Sequence, residues 1–266
     1  MMKKPISYRA FGIGTLVLTL LAALLRSLAF ATSFDRTVGY FDQNVFSTLL
    51  YIVIMLALIG VAAFALTHRR NAQDLPCPAR GERSVCITIC SLLIAVTLAV
   101  CAVLDLLAIA NDHADTLFLL RMIAAVLAIP YFAFPNNRRI LAFGLGAHAY
   151  CLLVVISEYF DRYVPMNSPL KLMQQFSLIV FMLYLLSEMF CAIGQPRPVR
   201  TTAFAAVAFF LCTTNGISCI VAAIAGGMIP SDYLMGAILS LSFGLYAAAW
   251  LYTAIMYSHT NETEVS

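Results

Sequence analysis

VCITICSLLIAVTLAVCAVLDLLAI, residues 85–109, is the stretch that decides the fold of this chain. Asp105 is its only charged residue, and no glycine or proline interrupts the run. A helix of about 20 apolar residues crosses the hydrocarbon core of a bilayer, which is about 30 Å thick. Residues 85–109 are therefore predicted to form a transmembrane helix.

The rest of the chain has the same character. Of the 266 residues, 62% are hydrophobic and 11% are charged, and the mean hydropathy is +0.90. A soluble domain carries about 25% charged residues, so lipid must solvate much of this surface. We predict one all-α domain, a polytopic transmembrane helical bundle of about eight spans. The spans are predicted near residues 8–30, 45–67, 85–109, 116–134, 140–160, 169–193, 201–225 and 233–257.

Basic residues in the short connections predict the orientation, because cytoplasmic loops of membrane proteins are rich in Lys and Arg. With the N-terminus in the cytoplasm, 11 of the 16 basic residues lie on the cytoplasmic side. We therefore expect both termini to be cytoplasmic and the protein to reside in the cell membrane. The cytoplasmic set is Lys3, Lys4, Arg9, Arg69, Arg70, Arg80, Arg83, Arg138, Arg139, Arg197 and Arg200.

A second interpretation applies to the first span. Lys3 and Lys4, the apolar run and the small residues of Ala29-Phe30-Ala31 also fit a secretory signal with a cleavage site. Cleavage there would leave seven spans and an N-terminus outside the cell.

Motifs of soluble enzymes are missing from the sequence. It contains no Walker loop, HExxH, GxSxG or paired-cysteine zinc pattern. Most of the eight cysteines lie in apolar runs, where cysteine packs as a small hydrophobic residue. The net charge of +3 gives no case for nucleic acid. We expect no catalytic residue, no cofactor and no metal site, and the bilayer as the first partner.

Charged residues at membrane depth are costly and mark candidate functional sites. Asp105 near the end of the third span and Arg121 near the start of the fourth lie at matching depth. We expect them to form an ion pair that faces the bundle interior. Glu158 and Lys171 repeat this arrangement in the next hairpin.

Arg26 of the first span belongs to the same layer, and Gln174 lies one turn deeper. One interpretation makes these residues a polar vestibule that binds a small charged or zwitterionic solute. The alternative is structural, since interfacial ion pairs fix hairpins and long basic side chains extend to the headgroups.

His148 and Glu188, in adjacent spans nearer the cytoplasm, are candidates for a proton relay. Counting from the intervening loop places His148 opposite Phe181, about 10 Å in rise from Glu188, so direct contact is not expected. A lone histidine in a span also serves as hydrogen-bonded packing.

Asn215 lies near the middle of the seventh span, between Thr214 and Gly216. Such a polar centre is typical of broken helices that bind substrates, or of close helix contacts. We expect Asn215 to face the interior with a partner on another span. Gly236, Ser240 and Gly244 form a stripe of small residues that predicts a tight helix contact, within the chain or in a homo-oligomer.

These features favour a small-solute transporter or channel-like subunit. The alternative is a sensor or an accessory or scaffold subunit that acts through a partner membrane protein. An enzyme is disfavoured, since an intramembrane active site needs several acid, base or metal groups at one depth and the sequence offers only scattered ones.

Overall fold

The computed structural model describes residues 7–35, 40–41, 44–68, 84–111, 116–160, 165, 168–195, 197–225 and 231–264. Within these residues, eight helices are long and apolar enough to cross a membrane. A 3₁₀ helix spans Arg138–Phe143, and two short antiparallel strands, β1 (Phe34–Asp35) and β2 (Tyr40–Phe41), follow the first helix. The helices are α1 (Tyr8–Ser33), α2 (Val45–His68), α3 (Val85–Ala110), α4 (Thr116–Ala133), α5 (Gly144–Phe160), α6 (Pro169–Ala192), α7 (Pro198–Ile224) and α8 (Ser231–Glu264).

The predicted all-α bundle is confirmed, and the differences lie at helix ends. The fifth helix begins at Gly144, because the side chain of Asn137 accepts a hydrogen bond from the Arg139 N–H and starts a 3₁₀ helix first. The seventh begins earlier than expected, with Pro198 in its first turn, where a missing N–H costs nothing. The last helix continues to Glu264, since no glycine or proline follows Gly244.

Two helices lie at the centre of the bundle. In the most apolar 18-residue window of α7 67% of the residues are buried, and in that of α8 61%, against 22% for α2. α7 packs against α1, α2, α6 and α8, while α8 also contacts α3. Each of the helices from α3 to α6 packs against the next one in the chain. The first and the last of them, α3 and α6, also contact α8. Among the described elements, α2 packs mainly on α1 and α7 and is peripheral.

Small residues allow α7 and α8 to approach closely. A Cβ atom on Gly244 would lie 2.8 Å from the backbone nitrogen of Thr213, and one on Gly216 would lie 2.8 Å from the carbonyl oxygen of Ala237. The Ser240 hydroxyl donates to the Cys212 carbonyl oxygen at 3.2 Å. The predicted small-residue contact therefore forms within one chain.

The outside of the bundle is apolar. Large side chains such as Ile13, Met55 and Val96 are 63%, 59% and 62% exposed. A soluble monomer rarely exposes so large and continuous an apolar surface to water, whereas the acyl chains of a bilayer are apolar and can solvate it. The chain is an α-helical multi-pass membrane protein.

Candidate functional site

The structure divides the predicted outer layer into two clusters. In the first, Arg121 of α4 donates through Nε to both carboxylate oxygens of Asp105 of α3, at 3.1 Å and 2.9 Å, and also through Nη2. The side chain of Asp105 is 4% exposed and that of Arg121 is 23% exposed. The predicted ion pair is confirmed.

Two residues that the sequence did not single out flank this pair. Cys101 of α3 and Tyr150 of α5 interact with each other and with Arg121. Phe118 lies under the guanidinium, whose carbon is 4.9 Å from the ring centroid. Neither Cys101 nor Tyr150 stands out within its apolar run, so only the packing of α3, α4 and α5 shows their role.

Arg26 is the centre of the second cluster. Its side chain is buried, with 2% of the residue exposed. Its Nη2 lies 3.5 Å from the Pro169 carbonyl oxygen at the start of α6, and its guanidinium carbon lies 5.4 Å from the centroid of the Phe30 ring. Its Nε has no hydrogen-bond partner among the described residues. A guanidinium offers several fixed N–H donors, and the Nε donor of Arg26 is buried and unused among the described residues.

Groups from other helices lie close to Arg26. Cys219 of α7 lies near both Arg26 of α1 and Glu158 of α5. Lys171 is fully buried two residues after Pro169, and both Lys171 and Glu158 have interactions of their own. The second cluster therefore contains three of the predicted charges, contributed by α1, α5 and α6.

Asn215 lies one helical turn before Cys219 and is completely buried, so the prediction that it faces the interior is confirmed. The predicted partner on another span is wrong for the described residues. The Oδ1 atom accepts a weak hydrogen bond from the Cys219 thiol of its own helix, at 3.7 Å, and Nδ2 has no partner.

Gln174 lies level with Asn215. The Cys212 thiol donates to the Ser177 carbonyl oxygen at 3.4 Å, and one turn from each residue along these antiparallel helices reaches Asn215 and Gln174. The side chain of Gln174 packs against Gly236 instead of bonding to Asn215, and its Oε1 has no partner among the residues that the structure describes. An unused donor and an unused acceptor are therefore buried at the same depth.

α7 is continuous through this polar centre, and Gly216 packs closely against Ala237 and Leu241 of α8, so the structure supports the close helix contact rather than a broken helix. The hydroxyl of Ser218 donates to the carbonyl oxygens of Thr214 and Asn215 at 2.7 Å and 3.1 Å. Back-bonding of this kind satisfies a hydroxyl within its own helix. The hydroxyls of Thr213 and Thr214 are buried and have no partner among the described residues.

His148 and Glu188 make separate contacts. The two ring nitrogens of His148 lie 2.8 Å from the Gly144 carbonyl oxygen and 3.0 Å from the Met182 carbonyl oxygen, one residue from the predicted level of Phe181. Both carboxylate oxygens of Glu188 accept from the Tyr246 hydroxyl, at 2.9 Å and 3.0 Å. The described contacts do not join the histidine to the carboxylate, and the role of Tyr246 on α8 carried no sequence signal.

Comparisons of the chain with protein-family models, with curated proteins and with solved structures found no match. The described residues include no group of three or more His, Cys, Asp and Glu side chains that could hold a metal ion, and the seven described cysteines are free. The second cluster combines the charges of Arg26, Lys171 and Glu158 with the buried amide groups of Gln174 and Asn215.

Proposed function

We propose that this protein is a transporter or channel-like subunit for a small solute that carries an anionic group, as a simple anion or a zwitterion. The solute site is the second cluster, to which α1, α5, α6 and α7 contribute side chains and against which Gly236 of α8 packs. The observation that carries the proposal is Arg26, a buried cation at membrane depth whose Nε has no partner among the described residues.

The free-energy cost of burying the Arg26 charge favours a ligand at this site. A charge at the centre of a bilayer costs several kcal/mol, so charges in spans face interiors or water and are paired. Arginine binds a carboxylate through two parallel N–H···O bonds, which are stronger than hydrogen bonds between neutral groups. A carboxylate solute would offset the buried charge of Arg26. It would also accept hydrogen bonds from the Arg26 N–H groups, to which the described residues offer one long bond, from Nη2 to the Pro169 carbonyl oxygen.

The amide groups of Asn215 and Gln174 would orient the solute. In this proposal, the Asn215 Nδ2 donates to a second acceptor on the solute, and the Gln174 Oε1 accepts from a solute N–H, such as an ammonium. Both atoms are buried without partners among the described residues. An unpaired buried amide group costs about 1–3 kcal/mol, so a ligand that pairs both groups gains affinity and specificity together.

Thermal unfolding of the purified protein in mild detergent tests the proposal. Amino acids, carboxylates and phosphates are compared with uncharged sugars. A binder present at 100 times its Kd stabilises the protein by about 2.7 kcal/mol. We expect an anionic or zwitterionic solute to raise the Tm and Asn215→Ala to abolish this shift with little change in the unliganded Tm. Thr97→Ala, which removes a buried hydroxyl of α3 that lies outside the cluster, is the matched control.

Two results would contradict the proposal. One is a panel in which sugars stabilise the protein as well as the anions do. The other is a ligand-induced shift that survives Asn215→Ala undiminished.

A sensor, accessory or scaffold subunit is the second candidate. The Asp105–Arg121 pair favours it, because two charges that neutralise each other across a hairpin need no solute. A membrane protein that copurifies in fixed ratio, together with no solute response, would favour this candidate. Both candidates place the chain in the cell membrane with cytoplasmic termini.

A further inference from the structure

We propose that a groove between the first turn of α3 and the connection from α4 to α5 binds the headgroup of an anionic phospholipid. The groove has a volume of about 660 Å³ and is lined by Thr88 and residues 133–139. It belongs to neither polar cluster, so the inference does not depend on the proposed solute.

The groove lies at the ends of two membrane-spanning helices, at the depth where lipid headgroups are expected. α3 begins at Val85 and α4 ends at Ala133, so both helices meet the membrane surface there. The Ser91 hydroxyl donates to the Phe132 carbonyl oxygen at 2.7 Å and holds these two helix ends together. The floor of the groove therefore rests on packed helices.

The polar wall of the groove suits a phosphate. Arg138 and Arg139 are adjacent and exposed, and the described residues that line the groove include no acidic residue. Asn136 adds an amide group that can donate to phosphate oxygens, while the Thr88 hydroxyl donates to the Ser84 carbonyl oxygen at 3.3 Å. Basic residues near a membrane surface attract anionic lipids, so this wall favours an anionic headgroup over a zwitterionic one.

The apolar side of the groove selects a lipid over a soluble anion. Phe134, which lines the groove, is 62% exposed, and Val85 and Ile89 beside Thr88 are 76% and 61% exposed. A charged wall bordered by lipid-facing apolar side chains matches a phospholipid, whose acyl chains continue from the phosphate into the bilayer.

Binding of short-chain phosphatidylglycerol and of phosphatidylcholine with the same acyl chains to the purified full-length chain tests this inference. The variant Arg138→Gln with Arg139→Gln is compared with Arg197→Gln with Arg200→Gln, which removes two exposed charges from another connection. We expect the first variant to bind phosphatidylglycerol about thirtyfold more weakly than the wild type, about 2 kcal/mol at about 1.4 kcal/mol per factor of ten. We expect the second to stay within about threefold.

Three results would overturn the proposal. They are equal losses in the two double variants, equal binding of phosphatidylcholine, and binding of glycerol phosphate as tight as that of the lipid, which would indicate a soluble anion. Gel filtration establishes that each variant is folded. If the double variant does not fold, Arg139→Gln alone replaces it, with about a fivefold loss expected and an unchanged affinity contradicting the proposal.

Discussion

The ion pair of Asp105 and Arg121 fixes α3 against α4 near their connection. Its carboxylate is almost fully buried while its guanidinium is partly exposed. Removing one partner of a buried pair leaves an uncompensated charge, which costs about 3–5 kcal/mol, whereas removing both can be nearly neutral. The partial exposure of Arg121 places this pair at the lower end of that range.

Asp105→Asn and Arg121→Gln should therefore each lower the free energy of unfolding by roughly 3 kcal/mol. The variant that carries both changes should lose less than the sum. Thermal unfolding in detergent measures this double-mutant cycle, with the exposed Arg9→Gln as a neutral control. Strictly additive losses would mean that the two side chains do not interact.

Loop geometry explains which residue contacts were predictable. A short hairpin places Asp105 and Arg121 at one depth whatever the rest of the bundle does. The contact of Glu188 with Tyr246 depends on how the whole bundle packs, because it joins α6 and α8, which are not consecutive. The contact of Asn215 with Cys219 is local to one turn of α7, whereas the lack of a partner on another described span depends on the packing around α7.

Among the described elements, α7 and α8 share the most extensive contact. It relies on glycine, because a side chain on Gly244 would meet the backbone of Thr213. Gly60 on the peripheral helix α2 has nothing within 4 Å of the position of a Cβ atom. The two glycines therefore allow the same substitution to be compared in a packed and an open environment.

Gly244→Val should lower the free energy of unfolding by about 1–3 kcal/mol, the usual cost of overpacking a dense interior. Gly60→Val should change it little or raise it slightly, since valine is a better helix former than glycine. Thermal unfolding of both variants in the same detergent is the measurement. Equal losses would show that α7 and α8 do not approach as described.

Helix lengths were predictable because the bilayer sets them, and the apolar runs end where polar residues begin. The 3₁₀ helix before α5 was not, since it depends on the capping geometry of Asn137 rather than on hydropathy. The continuity of α7 agrees with the predicted single span at residues 201–225. The close packing of Gly216 against Ala237 and Leu241 of α8 offsets the weak helix propensity of Asn215 and Gly216.

For the whole molecule, orientation is a prediction from charge alone. The basic connection around residues 69–83 lies outside the described residues, and an apolar bundle fits a bilayer either way up. We expect single cysteines introduced by Gly81→Cys and Thr263→Cys, in a chain without the native cysteines, to resist an impermeant maleimide in intact cells. Lysis should expose both. Labelling before lysis at both positions would reverse the orientation.

The central place of α7 and α8 could be anticipated only in part. Threonine, alanine, asparagine and glycine in both helices indicate protein contacts rather than lipid contacts. Hydropathy cannot say which helices surround them, because apolar side chains suit lipid and protein equally. The division of the polar layer into two clusters therefore required the packing of the helices.

The central claim is that a solute reaches the buried cluster around Arg26, and accessibility of Asn215 to a small anionic thiol reagent tests it most directly. Asn215→Cys is compared with Ser242→Cys, a second buried polar position on α8 outside the cluster, each in a chain without the native cysteines. We predict that sulfonatoethyl methanethiosulfonate modifies the first variant in intact cells and leaves the second unmodified. Equal protection of both positions would contradict a solute path to this site.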